Sequence, residues 1–339
     1  MQLFELWSSM THQGFHHRPH DSGRDIGRTW KHDQPLCFAH RWLNQQESFR
    51  EAGGLDYFKP WPEKGSEQMR TVTLLSDFGL QDSYVAQMKG VILRICQSCH
   101  LVDITHDVRP HDILMGAFIL ETAVPFFPMN TVHVAVVDPG VGGPRLPLAI
   151  VCKGSMLVGP DNGVLMRAAR KLGIVKAYKI QSHKFEAESV STTFHGRDIF
   201  AVAAARLADG VQAERLGPRV PRPVELDISP AIIGRDSLTC RVLHVDRFGN
   251  VITNAENGLL RKLGVRLGQR VQVKCKKHRF HGSIATSYSN ARRGHMIVIQ
   301  GSQGYVEVAV RERNAASLMK LRPKDQLEIM LSVGLVGRG

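Results

Sequence analysis

A change of pattern near residue 217 divides the sequence into two parts that belong to different fold classes. Before it, short apolar runs typical of strands alternate with segments whose apolar residues recur at helical spacing. After it, short β-rich runs follow one another and are separated by turns rich in Gly and Asn. The sequence therefore predicts an α/β region with a mainly parallel sheet, followed by a C-terminal antiparallel β-barrel or sandwich domain.

Acidic residues follow or end the first three strands predicted in the α/β region. The predicted strands span residues 71–76, 101–104, 131–137 and 147–153, and the predicted helices span 82–96, 112–127, 163–172 and 198–209. Ligands of parallel α/β sheets bind at the carboxyl ends of the strands. We therefore expect Asp77, Asp103 and Asp138 to converge on one edge of the sheet.

Composition and proline content predict the domain boundaries. Residues 1–68 hold six of the 16 histidines and show no lasting periodicity, so we expect an N-terminal extension outside the fold. Met69 is a candidate for the true start of the chain. The α/β domain is predicted at 69–216. Because prolines cannot propagate a helix, the Pro-rich stretch predicts a linker at 217–235, and the β-barrel domain follows at 236–339.

The sequence contains neither an apolar run of about 18 residues nor a basic segment that leads into a long apolar stretch, so it predicts no membrane span or secretory signal. We therefore expect a cytoplasmic protein without a membrane partner. The six cysteines are spread thinly, which favours buried reduced thiols over a disulfide framework. Residues 96–100, "CQSCH", match the pattern of c-type haem attachment, but that chemistry belongs with export, so a structural role is favoured.

The net charge of +13 raises the question of a nucleic-acid partner. Residues 1–70 hold nine basic and nine acidic residues, so the excess lies further along the chain. Its densest cluster, "KCKKHRFHG" at 274–282, includes one aromatic residue, Phe280, that could stack on a base. We interpret the cluster as a solvated turn between strands and expect no nucleic-acid partner.

Five polar clusters lie at predicted strand ends: "SDFGLQD" (76–82), "DITHD" (103–107), "GPDNG" (159–163), "TFHGRD" (193–198) and "VDRFGNVITN" (245–254). Each alone is an ordinary cap or turn. In this order and spacing, the chain resembles the S-adenosylmethionine (SAM) hydroxide adenosyltransferases, which share a fold with the fluorinating and chlorinating SAM enzymes. The resemblance spans residues 71 to about 335 and includes "GSQGYVEVAV" and "NAASL".

The resemblance implies a catalytic triad of Asp138 and Arg145, from "VVDPGVGGPR" (136–145), with His195. In the family these residues bind and polarise a water that attacks C5′ of the ribose, which yields adenosine and methionine. The sulfonium is already an activated leaving group, so the protein has to supply a positioned and partly deprotonated water. Arg145 can grip the carboxylate in a bidentate fashion and keep it ionised, while His195 shares or accepts the proton. The resemblance implies SAM as the substrate and no metal or redox cofactor.

The same resemblance implies the substrate contacts, which are Asp77, Asp82, Phe194, Asp246, Phe248, Asn250, Ser302 and Ala316. Asp77 accepts both ribose hydroxyls, because a carboxylate offers two acceptors to a diol, and Asp82 either lies beside it or starts a helix. Asp246 takes the methionine ammonium, Phe248 and Asn250 flank and read the adenine, and Ser302 binds the methionine carboxylate. Gln303 and His111 stand where the halogenating relatives have an Arg and a stacking Trp, respectively.

The resemblance also implies a homotrimer with its site between the α/β domain of one subunit and the barrel of the next. Three alternatives to the hydrolase remain: a SAM-dependent halogenase, a non-catalytic adenosine or SAM binder, and a nucleic-acid-binding protein. An Asp at position 138, where the fluorinating enzyme has a tyrosine, would repel a halide. A protein that only binds SAM has no need of Asp138, Arg145 and His195 together. The sequence therefore favours hydrolysis.

Overall fold

The computed structural model describes residues 70–181 and 189–332. The predicted N-terminal extension at residues 1–68 lies outside the described residues.

A six-stranded sheet with the order β2-β1-β3-β5-β4-β6 forms the first part of the described chain. The strands are β1 (Arg70–Ser76), β2 (Cys99–Thr105), β3 (Thr131–Val136), β4 (Pro147–Cys152), β5 (Ser155–Pro160) and β6 (Ile174–Lys179). Strands β2, β1, β3 and β5 pair in parallel, whereas β4 runs antiparallel to both β5 and β6. The mainly parallel sheet is therefore confirmed.

Helices cover both faces of this sheet. They are α1 (Tyr84–Ile95), α2 (Ile113–Ala123), α3 (Met166–Leu172) and α4 (Val202–Ala208), and a π-helical turn at Gly196–Ala201 leads into α4. Successive strand residues point to opposite faces, so Leu74 packs in the core below α1 and α4 while Leu75 packs below α2 and α3. The helix predicted at 112–127 ends at Ala123, because Pro125 cannot continue it.

A barrel forms the second part of the described chain. Strands β8, β9, β13, β12, β11, β10 and β14 follow one another around it, and the pairing of β14 with β8 closes it. The bounds are β7 (Ile232–Ile233), β8 (Ser237–Val245), β9 (Val251–Glu256), α5 (Asn257–Lys262), β10 (Arg270–Cys275), β11 (His278–Ile284), β12 (Met296–Gln300), β13 (Tyr305–Val310), α6 (Ala315–Met319) and β14 (Gln326–Leu331). The predicted antiparallel barrel is therefore confirmed, with the one exception that β11 and β12 pair in parallel.

That parallel pair needs a crossover instead of a hairpin turn. The crossover is the segment 285–295, which contains a short 3₁₀ turn at Tyr288–Asn290. Ala285 and Ala291 of this segment pack against Ile297, Ile299 and Ala309 on the outer face of β12 and β13. The crossover therefore covers part of the barrel's outer surface.

Helix α2 is apolar on all sides because it packs between the sheet and the barrel. On its barrel side, Leu114 and Phe118 form a cluster with Leu243 of β8 and Ile252 of β9. A polar group joins the two parts at Glu121. Its Oε2 accepts a 2.6 Å hydrogen bond from Arg167 Nε, and its Oε1 accepts a 2.5 Å hydrogen bond from the Tyr305 hydroxyl.

The expectation that the cysteines are reduced thiols is wrong for one pair. Cys96, at the end of α1, and Cys99, at the start of β2, form a disulfide because the intervening turn brings their Cα atoms to 5.4 Å. Cys152, Cys240 and Cys275 are free and buried, and Cys37 lies outside the described residues. Among the described residues, the structure contains no helix long and apolar enough to span a membrane.

Candidate active site

Asp138 lies two residues beyond the end of β3 and begins a glycine-rich turn that brings Arg145 back to it. Within the turn, Gly142 has a φ of +75°, and a Cβ at that position would lie 2.5 Å from the carbonyl oxygen of Thr192. Any other L-amino acid would be strained by the positive φ, and its Cβ would clash with the Thr192 carbonyl oxygen. Glycine at this position therefore allows the turn to pack against the segment that leads to His195.

Arg145 connects the predicted catalytic residues. Its Nε donates to both carboxylate oxygens of Asp138 at 3.1 Å, and its Nη2 also donates to Oδ2. The same Nη2 lies 2.6 Å from Nδ1 of His195. The guanidinium packs over the Phe200 ring at 5.2 Å, and the side chains of Arg145 and Asp138 are only 10% and 5% exposed. The structure therefore brings the three residues together, with Arg145 between the other two.

His195 is neutral in this environment. Burial lowers the pKa of its imidazole, the positive charge of Arg145 lowers it further, and these effects outweigh Asp138 and Asp198, which act in the opposite direction. A guanidinium can only donate, so Nδ1 accepts its hydrogen bond and the ring carries its proton on Nε2. His195 therefore has one N–H donor left for a ligand.

Asp198 is a buried residue of the "TFHGRD" cluster for which the sequence predicts no role. Its carboxylate accepts hydrogen bonds from Arg197 Nε at 2.6 Å and from the Ser191 backbone N–H at 2.8 Å. Burial acts to raise the pKa of Asp198, but these hydrogen bonds outweigh it and hold the pKa below its ordinary value. Asp198 thus fixes the segment before His195. Its only sequence signal was an acidic residue three positions after a histidine.

Asp77 directly follows β1, and its Oδ2 accepts a 2.8 Å hydrogen bond from the backbone N–H of His111. His111 has a φ of +67°, a conformation that is uncommon for residues other than glycine. Below Asp77, the Ser76 hydroxyl contacts Nδ1 of His106 at 2.7 Å. Asp82 is exposed and lies before the first residue of α1.

Phe194 belongs to an aromatic cluster beside His195. Its ring makes edge contacts with Tyr84 at 5.1 Å and with Phe78 at 5.8 Å between centroids. Gly196 packs closely on this cluster, since a Cβ there would lie 3.2 Å from the rings of both Phe78 and Phe194. Phe194 is therefore a buried wall of this region.

The predicted barrel residues form a second group around the loop between β8 and β9. Asp246 accepts hydrogen bonds from the backbone N–H groups of Phe248 and Asn250 and from the Asn250 side-chain amide, at 2.8–2.9 Å. Phe248 is 78% exposed. Ala316, at the start of α6, donates its backbone N–H to the Gly249 carbonyl at 2.9 Å and so joins this loop.

Ser302 is exposed in the turn between β12 and β13, which is closed by a 2.9 Å hydrogen bond from Gly301 N–H to the Tyr305 carbonyl. We call Asp77, Asp138, Arg145, Phe194 and His195 the α/β half of the site, and Asp246, Phe248, Asn250, Ser302 and Ala316 the barrel half. Within the described ranges, no hydrogen bond, ion pair or ring contact joins the two halves. No cluster of three or more His, Cys, Asp or Glu side chains suited to a metal ion occurs in the same ranges.

Two family models match the chain. The SAM hydroxide adenosyltransferase N-terminal domain matches residues 72–217, and the C-terminal domain of the same name matches residues 240–328. A Salinispora tropica protein named (R)-S-adenosyl-L-methionine hydrolase is 40% identical over 262 residues, which cover 76% of this chain and 97% of that protein. A fluorinase from Nocardia brasiliensis is 28% identical over 276 residues, which cover 73% of this chain and 91% of the fluorinase.

Solved structures are similar as well. The crystal structure of an uncharacterized conserved protein from Thermotoga maritima aligns with a TM-score of 0.74 at 34% identity. The alignment covers 76% of this chain and 99% of that protein.

Proposed function

This chain belongs to the SAM hydroxide adenosyltransferase family, and on that premise we propose that it hydrolyses S-adenosyl-L-methionine to adenosine and L-methionine. The observation that carries the proposal is the position of the Arg145 guanidinium between Asp138 and His195. This arrangement presents a carboxylate acceptor and an imidazole N–H donor with fixed orientation. A water molecule needs both to be held for attack.

The proposed step is a displacement at C5′ of the ribose. The water oxygen forms a bond to C5′ while the C5′–S bond breaks. The electron pair of the C5′–S bond goes to sulfur, which leaves as the neutral thioether of methionine. The water loses one proton, so SAM and water give adenosine, methionine and a released proton. Asp77 would hold the ribose hydroxyls and so keep C5′ in line with the water.

The hydrogen bonds around His195 support separate roles for His195 and Asp138 in this step. Because Nδ1 accepts from Arg145, the Nε2 proton would point a donor at the water oxygen and orient its lone pair toward C5′. Asp138 would accept the hydrogen bond from the water and take up the proton as the new bond forms. In this mechanism His195 orients the water, and Asp138 is the base.

The test is to incubate the purified protein with SAM in isotopically labelled water and to examine the adenosine by mass spectrometry. The label is expected at the 5′ oxygen, and Asp138→Ala and His195→Ala are expected to lose most of the turnover. The absence of adenosine from wild-type protein would contradict the proposed function. Full activity in both variants would contradict only the assigned residues.

We also propose that the protein is a homotrimer in which the barrel half of one subunit faces the α/β half of another. No hydrogen bond, ion pair or ring contact joins the two halves within the described part of one chain, and Phe248 exposes 78% of its surface, which favours a partner for it. Co-expression of Asp138→Ala with Asn250→Ala is expected to restore activity, because some interfaces then combine two intact halves. If the mixture stays inactive, the shared site is wrong, and sedimentation reports the subunit number.

The remaining proposals are that the enzyme needs no metal or redox cofactor and acts in the cytoplasm on a small molecule. The sulfonium leaving group supports the first, because it departs without help from a Lewis acid. Activity that persists in a strong chelator is the expected result. Trapping thiols during cell lysis tests the location: Cys96 and Cys99 recovered as free thiols would support a reducing compartment such as the cytoplasm, whereas the disulfide seen in the structure, if recovered from cells, would contradict it.

A further inference from the structure

Strand β13 carries a carboxylate, Glu307, on the outer face of the barrel among the predicted substrate residues. It is 7% exposed, while its sequence neighbours point into the barrel core. Its Oε1 accepts a 2.6 Å hydrogen bond from the hydroxyl of Tyr288, a residue of the crossover segment 285–295. Its Oε2 faces Gly301, where an added Cβ would lie 3.2 Å away. Glu307 therefore borders the turn that carries Ser302.

The charge of Glu307 has no basic partner among the residues that the structure describes. Burial raises the pKa of Glu307, and the negative charge of Asp246 raises it further, against the hydrogen bond from Tyr288. Three other buried carboxylates of the described residues each pair with an arginine: Asp138 with Arg145, Glu121 with Arg167, and Asp198 with Arg197. Asp161, which is half-buried and also has a raised pKa, accepts the backbone N–H of Val224. Glu307 thus lacks the arginine that these three carboxylates have, and the neighbouring Asp246 accepts its hydrogen bonds from neutral amides.

Two negative charges in a partly buried place cost free energy, and a bound cation would recover it. SAM carries an ammonium group on the same carbon atom as its carboxylate. The group that binds the carboxylate, predicted to be Ser302, must then lie next to the groups that bind the ammonium, and Glu307 borders that turn. On the premise of the proposed function, we propose that Glu307 is a specificity-determining residue that, together with Asp246, selects the ammonium end of SAM.

The decisive variant is Glu307→Gln, which keeps the shape and an acceptor for Tyr288 but removes the charge. The KM for SAM is expected to rise about tenfold or more, as for the loss of a charge-assisted contact, while kcat stays within about threefold because the α/β half is unchanged. By calorimetry, the affinity for decarboxylated SAM, which retains the ammonium, should fall as well. The affinity for methylthioadenosine, which has no ammonium, should not change.

Three further variants separate specificity from folding. Tyr288→Phe removes the hydrogen bond that orients Glu307, so it should raise the KM by a smaller factor than Glu307→Gln does. Glu307→Asp should recover part of the lost affinity because it restores the charge. Tyr305 lies on the same face of β13 as Glu307, and its hydroxyl donates to the buried carboxylate of Glu121 on α2. Tyr305→Phe therefore removes a comparable hydrogen bond but should leave the KM unchanged. Thermal melting checks that each variant folds. If Glu307→Gln does not fold, Tyr288→Phe provides the test.

The possible outcomes distinguish this inference from the proposed function. If wild-type protein hydrolyses SAM but Glu307→Gln has an unchanged KM, the role of Glu307 is wrong and the proposed function stands. Equal losses of affinity for methylthioadenosine and decarboxylated SAM would assign Glu307 a structural role and overturn the inference. If wild-type protein does not hydrolyse SAM, the proposed function is wrong, and the calorimetric comparison of the two analogues still tests Glu307.

Discussion

The two halves of the site differ in how their charges are satisfied. In the α/β half, Asp138, Arg145 and His195 satisfy one another, and the turn around Gly142 is packed against its neighbours. In the barrel half, Asp246 accepts its hydrogen bonds from neutral amides and Phe248 is exposed, and the neighbouring Glu307 has no basic partner among the described residues. A prearranged group suits a chemical step, because it needs no reorganisation during the reaction. An uncompensated group suits recognition of a cation.

The largest expected effect comes from Arg145→Ala, which removes the bridge of the α/β half. It leaves Asp138 without its partner and His195 without its orienting donor, so kcat should fall by about 10³-fold or more. Arg145→Lys should recover little, since an ammonium cannot reproduce the planar fork. Steady-state kinetics of both variants provide the measurement.

The matched variant in the barrel half is Asn250→Ala. Its effect is expected mainly in KM, because it alters the proposed recognition of adenine and leaves Asp138, Arg145 and His195 in place. The comparison between the two halves fails if Arg145→Ala changes KM alone or if Asn250→Ala changes kcat alone.

Acid should affect the stability of the two parts in opposite directions. Burial lowers the pKa of His133, on β3, from an ordinary 6.5 to about 4, so the unfolded chain takes up the proton first. The contribution of neutral His133 to the free energy of unfolding is fully present above about pH 6.5. About 3 kcal/mol of that free energy is lost as the pH falls to about 4. The pKa of Glu307 is raised, so its buried charge lowers the free energy of unfolding above that pKa. This destabilisation is relieved as the pH falls through that pKa and Glu307 takes up a proton.

Melting temperatures measured across this pH range test the difference. His133→Gln should flatten the acid loss of stability. Glu307→Gln should raise the melting temperature at neutral pH, with a gain that disappears in acid. Parallel curves for both variants and the wild type would show that neither group controls the pH dependence.

The last comparison concerns two glycine turns, one beside each half, and includes the smallest expected effect, that of Gly304→Ala. Gly142→Ala combines a φ of +75° with a Cβ placed 2.5 Å from the Thr192 carbonyl oxygen, so we expect a loss of about 2–4 kcal/mol. Gly304→Ala, in the turn of Ser302, has a φ of +91° but no neighbouring atom within 4 Å. It should cost about 1 kcal/mol.

Denaturant unfolding measures both glycine variants. Activity should fall for Gly142→Ala even where it remains folded, because Thr192 lies in the segment that leads to His195. Equal losses of stability in the two variants would show that backbone strain, and not packing against Thr192, dominates at Gly142.

The sequence predicted the parts of this molecule that depend on local pattern. Alternating periodicity indicated the sheet and its helices, and strand ends indicated where Asp77 and Asp138 lie. Strands β5 and β6 are absent from the predicted elements because β5, although as long as β3 and β4, ends in a glycine and a proline, while β6 follows α3 after a single glycine. The Cys96–Cys99 disulfide was missed because the turn that joins them depends on the packing of α1 against the sheet.

The electrostatic arrangement of the site could not be predicted from spacing. Arg145 and His195 are fifty residues apart, and no local pattern states which nitrogen of the imidazole accepts the guanidinium. Glu307 in "YVEVAV" has the alternation of a solvent-facing residue on an amphipathic strand. It is buried because the crossover segment folds over it, and that packing is a tertiary property.

The crossover between β11 and β12 has a consequence for engineering. A hairpin at this place would leave Glu307 open to solvent, whereas the parallel pairing requires a segment that carries Tyr288 across the barrel surface. Because both its ends are anchored in strands, the exposed positions of segment 285–295 can be varied while Ala285 and Ala291 keep their packing on the barrel. A library built at those positions would alter the surroundings of Tyr288 and Glu307 and leave the proposed water-binding residues of the α/β half unchanged.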